Sequence, residues 1–155
     1  MTRQEALPLR IAFAVLALGA LLVQLLVIPP AGTGYAGKFP EAAYLAPPYI
    51  TALAVAILGF EAALLAAWQL VSAVVPVRSL TRRSKTWTNV MAASLGFMAV
   101  VFAGVCAHSM FWTPFGTPAA GFGFLISLAL IPVLFALRHG VLGWLEADVH
   151  DRVPR

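Results

Sequence analysis

From Tyr49 to Val75 the chain reads YITALAVAILGFEAALLAAWQLVSAVV, with Glu61 as its one charge. A hydrocarbon layer about 30 Å thick is crossed by roughly 20 apolar residues of helix, and this run is longer. A surface helix of a soluble domain repeats a polar stripe every three or four residues; none is present here. The run therefore predicts a membrane-spanning helix over about 48–75. Pro47 and Pro48 suit its first turn, which has no use for a proline N–H, and Pro76 predicts its end. The whole chain is 61% hydrophobic and 10% charged, against roughly 45–50% and about 25% in soluble domains, so the remaining chain is read in the same way.

Three further spans follow from the apolar runs. Ile11 to Ile28 is interrupted only by Gln24. Its apolar stretch exceeds the 7–15 residues of a signal peptide, and no compact small-x-small cleavage site follows, so an uncleaved helix is expected. A third span covers 87–112, with Trp87 and Trp112 at its two ends, where amphipathic rings favour the interface. A fourth covers 119–137 and contains Ser127 and Pro132. The tail, 138–155, predicts a short helix on the membrane surface or a prolongation of the fourth span. The segment 29–46, rich in Gly and Pro, predicts turns and not helix. The expected fold is all-α: one domain, 1–155, of four antiparallel transmembrane helices.

The cations orient this domain. Arg3 and Arg10, then Arg78, Arg82, Arg83 and Lys85 in the central loop, then Arg138, Arg152 and Arg155 fall on one side; Lys38 alone falls on the other. Positive charge is retained on the cytoplasmic side, which predicts cytoplasmic termini in the inner (plasma) membrane. The four central-loop cations are also candidates for contact with anionic lipid. A nucleic-acid reading needs a basic face on a soluble domain, and no such domain is predicted.

Glu61 is the candidate site. A carboxylate at mid-bilayer costs at least about 2.5–3.5 kcal/mol, so a neutral Glu61 hydrogen-bonded to a neighbour is the expected relief. At about 100° per residue, Leu58, Leu65, Trp68 and Ser72 share its side of the helix, while Gly59 and Ala63 lie opposite. Small residues four apart let helices approach closely. Two arrangements stay open. If Gly59 and Ala63 pack within the chain, Glu61 could point outward and need a second protein or a bound lipid. If Glu61 points inward, Gln24, Ser94 and Ser127 are the available partners.

Cys106, His108 and Met110 carry soft-metal ligand atoms, but helical residues two apart point to nearly opposite sides, so no metal site is expected. With one cysteine there is no internal disulfide framework. No phosphate loop, paired carboxylates or nucleophile–base pair is found, and no enzyme or cofactor is expected.

The residues Ile28-Pro29-Pro30, then Phe39-Pro40-Glu41-Ala42-Ala43-Tyr44-Leu45, then Pro48-Tyr49 and Trp68 resemble the small bacterial four-helix membrane proteins of domain-of-unknown-function family 2975. The central RSLTRRSK segment departs from that family's shorter turn. The resemblance implies four spans and no activity. Two functions are weighed. One is a non-catalytic accessory subunit that packs against a larger membrane complex, a respiratory one being conceivable, or against copies of itself. The other is a small proton-coupled multidrug-type transporter using Glu61. Such transporters carry the acid on their first helix, and their dual-topology dimers need a weak charge bias. Both features are missing here.

Overall fold

The computed structural model describes the backbone of residues 3–77, 82–114 and 116–150, and the side chains of 7–72, 84–114, 116–140 and 143. The elements are α1 (Arg3–Leu22), a π-turn (Val23–Val27), α2 (Ile28–Lys38), a 3₁₀ segment (Pro40–Leu45), α3 (Ala46–Val77), α4 (Arg82–Phe111) and α5 (Pro118–His150). Among the described residues there is no strand. Four helical stretches are long and apolar enough to cross a membrane: Leu7–Lys38, Pro40–Ser72, Ser84–Phe111 and Pro118–Gly140. Four successive antiparallel helices bring Arg3 and His150 to the same end of the bundle, which we call the termini end.

The expected loop over 29–46 is helical instead. Ile28–Lys38 continues the first span, and only Phe39 separates it from the 3₁₀ segment. The reason lies in the junction. A proline inside a helix removes one hydrogen bond and its ring clashes with the carbonyl four residues back. Here the chain widens to a π-turn just before Pro29 and Pro30, and the Ile28 N–H donates to the Val23 carbonyl, five residues back. The prolines thereby enter as the first residues of a new helix, where they are tolerated. Thr33 then returns its hydroxyl to the Pro29 and Pro30 carbonyls at 3.1 and 3.2 Å.

Two boundaries also differ from the sequence reading, and the tail takes one of its two expected forms. Pro76 lies within the last turn of α3, not beyond it. Arg82, Arg83 and Lys85 belong to the first turns of α4, not to a loop, while Arg78 lies outside the described residues. The tail prolongs the fourth span as helix to His150. Gly140 and Gly143 do not stop it, because isolated glycines weaken a helix without ending it.

The bundle is open. α1 packs on α3, α3 on α4 and α4 on α5, and among the described residues helices that are not neighbours in this row bring no Cα atoms within 8 Å of one another. The most extensive seam is α3–α4. A Cβ on Gly59 would lie 3.0 Å from the Ser94 carbonyl oxygen and 3.1 Å from the Phe97 ring, so the bare glycine admits α4. Ala56, Ala63 and Ala66, on the same side of α3, are buried with it. Between helices in lipid, such close backbone approach replaces the hydrophobic drive available in water. Gly123 serves α4–α5 similarly: a Cβ there would meet Cys106 Sγ at 2.9 Å.

Candidate functional site

α3 has α1 and α4 on opposite sides. Gly59 marks the α4 side. The α1 side is marked by Ser72, which accepts a hydrogen bond from Arg10 Nη2 at 3.3 Å, and by Trp68, whose ring lies 5.9 Å from the Arg10 guanidinium. At about 100° per residue, Trp68 and Ser72 fall within about 20° of Glu61 and Gly59 falls some 160° away. Glu61 therefore faces α1. Of its three candidate partners, Ser94 and Ser127 are on the wrong side. Ser94 presents its carbonyl to Gly59, and Ser127 on α5 donates to the Gly123 carbonyl at 2.8 Å.

Gln24 remains. It lies within the π-turn, and outside its own chain neighbours that turn touches only α3. Its height follows from two fixed points. Arg10 meets Ser72, and Gly32 meets Ile50, where an added Cβ would clash. The chain thus advances along α1–α2 as it retreats along α3. At 1.5 Å per residue, Gln24 comes to within roughly one helical turn of Glu61.

Gln24 Oε1 and Glu61 Oε1 are both enclosed and without a hydrogen-bond partner, and so is Arg10 Nε. Of the four such atoms among the described residues, three line the α1–α3 seam; the fourth is Ser84 Oγ on α4. Buried polar atoms without partners are few in native proteins, and each requires an explanation. The chemistry is that of two acceptors in want of a donor. A carboxylic acid O–H or a side-chain amide NH₂ is the kind of donor that would satisfy such an acceptor. The sequence reading had Glu61 and Gln24, but took Arg10 only for its charge. No periodic signal joins Arg10 to Ser72, since their meeting depends on the helix register.

The other sequence candidates are dispersed. His108 on α4 shares a 2.9 Å hydrogen bond with the Tyr49 hydroxyl through Nδ1, at the end remote from the termini. Cys106 is buried and faces Gly123 on α5. The two side chains thus meet different helices. No group of three His, Cys, Asp or Glu is gathered among the described residues. The α4 cations sit at a helix N-terminus, where the macrodipole disfavours positive charge by a few tenths of a kcal/mol each. Helix stability does not account for their placement, whereas a requirement at the membrane surface would. Comparison of the chain with protein-family models, with curated proteins and with solved structures finds no match.

Proposed function

We propose that this is a non-catalytic integral membrane protein of the inner (plasma) membrane, with cytoplasmic termini, that acts as an accessory subunit. Its partner is a larger membrane assembly or further copies of the same chain. The observation that carries this is the condition of the first span. Among the described residues it touches only the 3₁₀ segment that follows it and α3, none of its described residues is buried, and its seam with α3 holds three unmatched polar atoms. A helix so held gains from a second protein that closes over the seam. Gentle solubilisation from the native membrane followed by mass measurement tests the reading. A mass above that of one chain, or a co-purifying membrane protein, is expected; a lone monomer would overturn it.

The second reading, a proton-coupled transporter, draws on the unmatched Glu61 oxygen. An enclosed carboxyl between two helices can take up and release a proton only if the seam opens, which would couple proton uptake to helix movement. Transport that survives Glu61→Gln would remove this reading.

A further inference from the structure

The α4–α5 interface changes character along its length. Near the end remote from the termini the helices are in close contact at Gly123, Phe102 and Cys106. Pro132 on α5 lies further toward the termini end. A proline there deprives the Leu128 carbonyl of its donor and bends a helix. Around and beyond it lies a cavity between the two helices of about 490 Å³, inside the roughly 300–1,000 Å³ range of small-ligand sites. Its α4 wall is Ala92, Ala93 and Gly96, and Phe135 closes the α5 side. A Cβ on Gly96 would have no atom within 4 Å. Small residues usually admit a neighbouring helix, yet none fills this groove. Arg138 lines the cavity's termini end, its Nε donating to Asn89 Oδ1 at 2.8 Å.

We infer that this groove is a site for an anionic phospholipid, with one acyl chain lying along Gly96 and the phosphate held by Arg138. The charge argument selects the occupant. A guanidinium has five N–H donors; with Nε held by Asn89, the two Nη groups form the edge that suits bidentate phosphate recognition. Arg138 stands two residues before the end of the fourth span (Pro118–Gly140), a position from which long basic side chains reach the interface. Lys85, exposed on α4, adds positive charge at the same end. Basic pockets between transmembrane helices are the usual seat of anionic headgroups. The asparagine holds the arginine, the arginine selects the headgroup, and the glycine leaves room for the chain. The inference requires only that the protein is embedded in lipid, and stands apart from the accessory-subunit reading.

The test uses the full chain in a mild detergent. Dioleoyl phosphatidylglycerol, dioleoyl phosphatidylcholine and inorganic phosphate are titrated separately, with lipid adducts read by native mass spectrometry and thermal unfolding read in parallel. Phosphatidylglycerol should bind preferentially and raise the melting temperature, and phosphate alone should do neither. Arg138→Gln should weaken phosphatidylglycerol by about tenfold, the loss of a charge-assisted hydrogen bond, and leave phosphatidylcholine unchanged. Gly96→Leu should lower occupancy by both lipids, because it fills the groove. Equal binding of the two lipids by the wild-type chain would overturn the inference, as would phosphate reproducing the effect without lipid. A headgroup preference undiminished by Arg138→Gln would assign it to the other cations instead. If a variant fails to fold, the wild-type comparison decides alone, since equal binding of the two lipids refutes the inference.

Discussion

Replacing Gly59 by alanine probes the α3–α4 contact, where the atom nearest the new Cβ belongs to backbone. The new Cβ would lie 3.0 Å from the Ser94 backbone oxygen, 3.1 Å from Phe97 Cδ1 and 3.4 Å from Met98 Cβ. Phe97 can turn aside, but a backbone oxygen cannot. Relaxed C···O contacts between helices lie at about 3.3–3.6 Å, so α4 must retreat by a few tenths of an ångström along the whole seam. Overpacking of this kind costs about 1–3 kcal/mol. Alanine returns up to about 1 kcal/mol through helix propensity, which leaves a net loss of about 0.5–2 kcal/mol. Gly104→Ala provides the internal control. It is also a mid-helix glycine of a span, with nothing within 4 Å of the added Cβ, and should be neutral or stabilising by up to about 1 kcal/mol. The propensity terms cancel between the two variants, so their difference isolates packing. Unfolding in mixed micelles, followed by tryptophan fluorescence, measures it. If Gly59→Ala proves as stable as Gly104→Ala, α4 does not pack against α3 at this position.

Further perturbations address the polar groups and the topology. Glu61→Gln preserves shape and removes any charge from the α1–α3 seam. Unfolding experiments should show stability within about 1 kcal/mol of wild type or higher, because the replaced oxygen has no partner to lose; a loss above about 2 kcal/mol would reveal one. Tyr49→Phe should cost about 0.5–1.5 kcal/mol, the worth of one hydrogen bond. Adding His108→Phe should cost less than the two single losses combined, as a double-mutant cycle would report. In a Cys106→Ser background, Lys38→Cys should react with a membrane-impermeant thiol reagent from outside the cell, and Arg82→Cys only after the cytoplasm is opened.

The four spans were legible because lipid imposes a simple rule: long apolar runs must become helices. The segment 29–46 misled because its Pro and Gly residues carry turn signals in water. Beside a π-turn the two prolines start a helix, and no periodicity in the sequence announces a π-turn. The Gly59 side of α3 was also visible as a pattern of small residues. What it packs against was not, since a spacing of small residues does not identify the opposing helix. Glu61 shows the same limit. Its rotational position was readable, but that α1 would lie against it was not, since this depends on the order of helices in the row. Arg10 is the clearest omission, because its contact to Ser72 joins residues far apart in sequence at a register that composition does not encode.

The first span offers the most direct test of the claim that this molecule is built to be covered. Val15, 63% exposed, lies on the side of α1 away from Arg10 and Gln24. A photo-crosslinking amino acid placed there can be activated in native membranes and the products resolved by mass. Cross-links to a second polypeptide, either another protein or a second copy of the chain, are expected. Adducts to lipid alone, at full incorporation of the probe, would contradict the proposed role.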